Sequence, residues 1–186
     1  MQFFNEYMQR LQSVTQDRDW SDVMKLAVEM QNAWKNNKTV FICGNGGSAA
    51  NALHIANDMV YGVAGGEESG INIQCISANQ AVLTCLANDI GYDNIYSYQL
   101  KTMGKEGDLL IVLSGSGNSN NIINVLNVAA EKNIRSCGIL GYSGGKALEM
   151  VDIAIHFEID DMQIAEDCQL VVGHMLMRWL MENGKT

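Results

Sequence analysis

Hydrophobic and polar positions follow two rhythms along this chain. At the start the rhythm is helical. Phe4, Met8 and Leu11, with Phe3, Tyr7 and Val14, recur at helical spacing. From about Asp19 to Asn36, Val23, Leu26, Ala27, Met30 and Trp34 form an i, i+3, i+4, i+7, i+11 stripe, and Asp19 or Ser21 is the predicted N-cap. Short, continuously apolar runs then alternate with helical stretches. The runs are Thr39–Cys43, Asn72–Ile76, Leu109–Leu113, Ser136–Leu140 and Ile153–Phe157. Runs of this length that are apolar without alternation are strands covered on both faces. Helices are predicted between them at Ser48–Tyr61, Gln80–Asp89, Asn94–Met103, Asn118–Lys132 and Gly144–Met150. Strand–helix repetition with short connections predicts right-handed crossovers and a parallel sheet. The expected fold is α/β, a three-layer αβα sandwich on a five-stranded parallel sheet. It forms a single domain over residues 1–186, with helices over 1–37 and the α/β core over 38–186. A long helix from about Met162 to Met181 closes the chain. From Leu170 onward it is apolar on nearly all sides, which predicts burial all round, completed by packing against other subunits. The Gly-rich acidic stretch Gly62–Gly70 reads as a mobile loop.

Composition narrows the partners. The 186 residues are 47% hydrophobic and 18% charged, which excludes intrinsic disorder, and the absence of proline excludes collagen-like or polyproline architectures. The formal net charge of −9 makes nonspecific binding to nucleic acid or to an anionic membrane a poor expectation. A bound phosphate must therefore be held locally, by backbone N–H groups and hydroxyls. Cys43, Cys75, Cys85, Cys137 and Cys168 are odd in number, lack C-x-x-C spacing and lie in apolar runs. They read as small buried hydrophobes in a reducing compartment. No signal-peptide pattern and no apolar stretch of about 18 residues is present, so a cytoplasmic protein is expected.

In an open parallel sheet, ligands bind beyond the carboxyl ends of the strands. After the first predicted strand comes Gly44-Asn45-Gly46-Gly47-Ser48, opening a helix. Small residues admit a ligand to the backbone, and the helix start offers unpaired N–H groups at a positive dipole end. The loop lacks the Gly-Lys-Ser/Thr ending of a Walker A motif. It fits G-x-G-x-x-A through Gly44, Gly46 and Ala49. However, the second strand ends Ile76-Ser77-Ala78-Asn79, without the acid that a dinucleotide ribose requires. After the third strand comes Ser114-Gly115-Ser116-Gly117-Asn118-Ser119. N-capping explains one hydroxyl there but not three, and three suit a phosphomonoester.

Three histidines remain. His156 falls in the last strand and reads as structural. His54 and Asp58, at i and i+4, share one helix face, with Cβ atoms roughly 6 Å apart. Glu166 and His174 lie on the final helix, two turns apart, and His174 interrupts an apolar surface. A lone histidine on such a surface is ordinarily a hydrogen-bonded core residue. Two histidines with two carboxylates are also the donor set of an N/O metal site.

GNGGSAANALH (Gly44 to His54), AND-GY (Ala87 to Tyr92), GD-L--LSGSGNS (Gly107 to Ser119), GGK (Gly144 to Lys146) and E-D-x-Q-x4-H (Glu166 to His174) together resemble the sugar isomerase (SIS) domain family. Within it they are similar to the phosphoheptose isomerases. The resemblance implies an aldose–ketose isomerase that takes sedoheptulose 7-phosphate to a D-glycero-heptose 7-phosphate for bacterial envelope glycans. It also implies a homotetramer with active sites between subunits, and a zinc ion. Carried over, Asn45, Gly46, Gly47 and Ser48 line the sugar phosphate site, Asn88 and Asp89 contact the sugar, and Ser114, Gly115, Ser116 and Ser119 form the phosphate loop. His54 and His174 match metal-binding histidines. The expected catalytic set is Asp58, Glu166 and His174, with one carboxylate (Asp58 or Glu166) and His174 exchanging the protons, and the expected metal set is His54, Asp58, Glu166 and His174. The chain departs from the family pattern where Asp58 replaces Glu, Glu166 replaces Gln, Gly115 replaces Thr and Gln169 replaces His. The first two changes shorten one carboxylate and add another, and Gln169 is expected to stand behind the ligating residues. A non-catalytic SIS protein, like the regulator that associates with the DnaA replication initiator, is a second reading, as is an isomerase or epimerase of another sugar phosphate. The intact pair of histidines and carboxylates favours an enzyme.

Overall fold

The computed structural model describes residues 2–64 and 69–184. Helices α1 (Gln2–Thr15) and α2 (Ser21–Lys35) precede β1 (Val40–Gly44), α3 (Gly47–Val60), β2 (Ile73–Cys75), α4 (Gln80–Ile90) and α5 (Ser97–Met103). Then come β3 (Leu109–Ser114), α6 (Asn120–Glu131), β4 (Arg135–Leu140), α7 (Ala147–Met150), β5 (Ile153–His156) and α8 (Met162–Asn183). The five strands are all parallel, in the order β2-β1-β3-β4-β5. The expected α/β sandwich is therefore the observed one.

Alternate strand residues feed two cores. Val40, Ile42, Leu109, Ile111 and Leu113 pack with α2, α3 and α8 on one side, through Leu26, Met30, Ile55, Met59, Val172 and Leu176. Phe41, Cys43, Leu110 and Val112 pack with α4, α5, α6 and α7 on the other, through Leu86, Leu100, Ile122 and Ala147. Burial on both faces is why these strands read as unbroken apolar runs. β2 is shorter than expected. It stands at the sheet edge and pairs with β1 alone.

Other differences are local. The N-cap position of α2 is Trp20, without a side-chain cap. Asp19 instead accepts from the Ser21 amide (2.9 Å) and hydroxyl (2.9 Å) one step earlier. The segment expected to start a helix at Asn94 opens as a 3₁₀ turn, Tyr92–Asn94, before α5. Cys43, Cys137 and Cys168 are buried, and burial raises all three thiol pKa values. Cys85 is exposed on α4, contrary to the expectation of a buried hydrophobe, because it falls on that helix's solvent face. Of the stretch Gly62–Gly70, Gly62–Ala64 forms a 3₁₀ turn and 65–68 lie outside the described residues. Within one chain α8 buries only one face, including Ile164, Cys168, Val172, Leu176 and Leu180. Met175 and Met181 remain exposed, so the all-round burial expected of this helix is not completed by its own chain. Among the described residues no helix is long and apolar enough to cross a membrane.

α1 buries none of its residues fully; Tyr7, Leu11 and Val14 pack half-buried against the core, and polar contacts tie the helix to α8 and its N-cap. Arg10 donates to Asp161 Oδ2 (2.7 Å), and the Tyr7 hydroxyl donates to Asp167 Oδ2 (2.6 Å). The latter bond, with desolvation and the nearby carboxylate charge, pushes the Tyr7 pKa from 10.0 to about 12. An unfolded chain loses this proton first. The bond's contribution is therefore present below pH 10 and is lost as pH rises toward 12. An ultraviolet titration of Tyr7→Phe should show one late-titrating tyrosine fewer than the parent. Superimposable curves would contradict the assignment.

Candidate active site

The sheet reverses its winding between β1 and β3. From β1 the chain moves outward to β2, then returns to β3 on β1's other side. At such a switch point the following helices leave toward opposite faces of the sheet, and a crevice opens at the strand ends. Here that crevice is a cleft of about 260 Å³ lined by Asn45–Ser48, Leu113–Ser116, Ser119, Met162 and Glu166. Both loops singled out by their glycines and serines thus meet in one place. The N-termini of α3 and α6 point at it, with first-turn amides that have no partner inside their own helices.

The serine hydroxyls are arranged to donate. Ser48 Oγ accepts from Gln169 Nε2 (3.0 Å), Ser114 Oγ from the Gly117 amide (3.0 Å), and Ser116 Oγ from the Asn118 amide (3.3 Å). With an acceptor site filled, each keeps its proton for a ligand. Among the described residues no lysine or arginine lines the cleft, and the one ionisable lining group is Glu166. The cleft therefore recognises an anion through dipoles and hydrogen bonds. This agrees with the acidic composition.

Glu166 comes to the cleft because α3 and α8 lie side by side. A Cβ at Gly47 would overlap both oxygens of its carboxylate, so glycine is what admits Glu166 there. Gln169 stands behind the site as expected: 1% exposed, it bonds Ser48 and accepts from Asn51 Nδ2 (3.0 Å). At Gly115 a Cβ would lie 2.5 Å from Met162 Sδ, so the thioether fills the space a side chain would occupy. Sequence reasoning missed Met162 because its position, at the first residue of a distant helix, carries no local signal.

Farther along the same helices, His54 and His174 meet from positions 120 residues apart, with their Nε2 atoms 2.9 Å from each other. Asp58 Oδ2 lies 3.4 Å from His54 Nε2 and 3.8 Å from His174 Nε2. These three side chains offer two imidazole nitrogens and one carboxylate oxygen within 4.8 Å of one another. Neutral imidazoles and a carboxylate are ligands that zinc takes, so the donor chemistry fits a divalent ion. Glu166 is not part of this group. Eight residues of α8, about 12 Å of helix rise, separate it from His174, and its carboxylate sits over Gly47 instead. Asn88 and Asp89, at the exposed end of α4, bond to each other (2.8 Å) and do not line the cleft. His156 is structural: its Nε2 lies 2.8 Å from the Tyr142 carbonyl, and its own carbonyl accepts from Arg18 (2.8 Å).

Comparison with known proteins agrees with this arrangement. A family model described as the SIS domain matches residues 2–141. A phosphoheptose isomerase of Sulfurimonas denitrificans is 37% identical over 155 residues, 83% of this chain and 77% of that protein. One from Aneurinibacillus thermoaerophilus is 33% identical over 154 residues, again 83% and 77%. Among solved structures, a phosphoheptose isomerase from Neisseria gonorrhoeae superposes with a TM-score of 0.87 at 25% identity, covering 96% of this chain and 94% of that one. One from Francisella tularensis reaches 0.89 at 22% identity, covering 98% and 96%, and speaks for the fold.

Proposed function

This chain belongs to the SIS domain family and is a sugar-phosphate isomerase of the phosphoheptose isomerase type, and we propose that it interconverts sedoheptulose 7-phosphate and D-glycero-heptose 7-phosphate. The observation that carries the reading is the pairing of a hydroxyl-lined anion cleft at the switch point with an imidazole–carboxylate cluster. In the ketose-to-aldose direction a base removes a proton from C1 while the C2 carbonyl oxygen gains one, giving a cis-enediol. A proton then returns to C2, and the O1 proton is lost as the aldehyde forms. His174 and one carboxylate exchange these protons. Asp58, 3.8 Å from His174, is the carboxylate whose placement supports that role, and Glu166 is left to meet sugar hydroxyls beside Gly47. His54, Asp58 and His174 would hold a zinc ion, which when bound polarises the sugar's carbonyl oxygen.

The cluster faces outward. His54 and His174 side chains are 49% and 52% exposed, and Leu53, Tyr61 and Met175 are also exposed. α1 adds Phe3 and Phe4, about 70% exposed. This open apolar surface supports a homotetramer whose active sites lie where copies meet, acting on a phosphorylated sugar in the cytoplasm. Neither nucleic acid nor a membrane is an expected partner.

The test is an NMR assay of sedoheptulose 7-phosphate and a panel of ketose phosphates in D2O, with and without Zn²⁺. Aldose product carrying deuterium at C2 is expected from sedoheptulose 7-phosphate. Turnover of another ketose phosphate alone would move the substrate assignment. No turnover of any, with the cluster intact, would favour a binding protein. Ser116→Ala should raise KM by about tenfold or more, the worth of a hydrogen bond to a charged group, with the loss falling on KM. A loss confined to kcat would contradict its place at the phosphate.

A further inference from the structure

The two loops of the cleft have a structural problem. β1 and β3 are hydrogen-bonded neighbours up to Gly44 and Leu113, but beyond those residues the chain diverges. α3 departs into one core and α6 into the other. The sheet ladder fixes where the loops begin but not how far apart they sit beyond those residues, yet an anion held by both requires a set separation.

A side-chain pair, Asn121 buried and Asn45 half-buried, crosses this gap. Asn45 Nδ2 donates to Asn121 Oδ1 (2.9 Å), and Asn121 Nδ2 donates to Asn45 Oδ1 (2.9 Å). Asn121 is the second residue of α6 and is 1% exposed. A primary amide out of water is costly unless bonded, and both ends of this one are bonded to the opposite loop. Asn45 Oδ1 also accepts from the hydroxyls of Tyr92 (2.9 Å) and Tyr96 (3.1 Å). Burial raises the Tyr96 pKa, keeping its hydroxyl protonated, and that hydroxyl is shared with the Gly44 carbonyl (2.5 Å). Ser77 Oγ completes the clamp, accepting from the Gly44 amide (3.1 Å) and donating to the Gly44 carbonyl (3.0 Å). The side-chain amide of Asn45, at the edge of the cleft, is thus engaged by Asn121, Tyr92 and Tyr96.

We propose that the Asn45–Asn121 amide pair is a crossbar that sets the separation of the two anion-binding loops, making Asn121 a positioning residue for recognition of the ligand's phosphate. The proposal rests on the reading of the cleft as the phosphate end. It separates two roles that the sequence merges: Asn45 serves the ligand through its loop, and its amide works on Asn121.

A double-mutant cycle on the full-length protein tests it, with inorganic phosphate as the probe in titration calorimetry and sedoheptulose 7-phosphate for kinetics. Asn45→Ala and Asn121→Ala should each weaken phosphate binding about tenfold, the cost of stranding one buried amide, and the double variant should be no weaker than the weaker single. KM should rise in parallel, with kcat at saturation retained. A double variant that loses the product of the two single losses would show that Asn45 contacts the ligand independently, and would overturn the crossbar. So would an Asn121→Ala protein that binds phosphate as the parent does. Should Asn121→Ala not fold, Tyr96→Phe removes one hydroxyl from the same network. It should weaken phosphate binding by a smaller factor, and an unchanged affinity would then count as refutation. A parent that binds phosphate, loses it in Asn121→Ala and turns over no sugar would refute the isomerase reading while supporting the crossbar. A parent that binds no phosphate refutes both.

Discussion

Replacing His174 by alanine is expected to lower kcat by about 10²–10⁴-fold, the ordinary contribution of a positioned acid–base group. The expectation follows from where the imidazole sits. His174 stands where α8 runs beside α3, facing His54 at 2.9 Å and Asp58 at 3.8 Å. It lies about 12 Å of helix rise beyond Glu166, which lines the anion cleft. The variant should therefore leave inorganic phosphate affinity near that of the parent while turnover falls. Because His174 also belongs to the group that would hold zinc, the same variant should bind Zn²⁺ more weakly. Asn121→Ala should show the reverse, with phosphate binding weakened and zinc affinity kept. Undiminished turnover in His174→Ala would remove the acid–base assignment. A parallel loss of phosphate affinity would mean that cluster and cleft are not the separable units described above.

Much of this architecture was legible from apolar patterning, because the physical cause of the pattern is local. Val40–Gly44 and Leu109–Ser114 are covered on both faces, and continuous burial writes itself as continuous apolar sequence. The cleft loops were legible for a related reason: glycine and serine at a strand-to-helix junction have few other uses. His54 and Asp58 could be placed on one face from spacing alone. Their meeting with His174 could not, since it depends on how α3 packs on α8, through contacts such as Gly173 against Ile55. The resemblance to known isomerases suggested that convergence, and the coordinates give it distances. Glu166 shows the opposite case. From the sequence it is expected in the metal set, yet helix rise and the bare face of Gly47 direct its carboxylate to the cleft. Asn121 left no signal. An asparagine in a helix's first turn reads as a cap, and only the tertiary structure shows its amide spanning to another loop.

Gly117→Ala should be among the most destabilising single substitutions in the chain. Gly117 holds φ at +64°, a left-handed conformation that costs an L-residue about 1–2 kcal/mol. Space is the second obstacle. A Cβ at this position would overlap the backbone carbonyl of Gly144, and a carbonyl cannot rotate aside as a flexible side chain does. The two loops are interlocked at this point. The Gly117 carbonyl accepts from the Ala147 amide (3.0 Å) and Asn118 Oδ1 accepts from the Lys146 amide (3.1 Å) across to the β4–α7 loop, while the Gly117 amide donates to Ser114 Oγ (3.0 Å) within its own loop. Separating the loops breaks bonds worth about 1 kcal/mol each. With the backbone strain, the total reaches about 3 kcal/mol or more, a large share of a domain's usual 5–15 kcal/mol. Gly46→Ala provides the comparison. Gly46 also has positive φ, +56°, with ψ at −122°, a backbone strain of its own outside the left-handed helical well, but a Cβ there meets nothing within 4 Å, so that variant carries strain without the collision. In urea unfolding at fixed protein concentration, Gly117→Ala should show the much lower midpoint, with unchanged slope. Its KM for the sugar phosphate should also rise, because Ser116 moves with the loop and Ser114 Oγ loses its partner at the Gly117 amide. Equal midpoints for the two variants would show that the β3–α6 and β4–α7 loops separate freely, and that the phosphate cradle is not braced from that side.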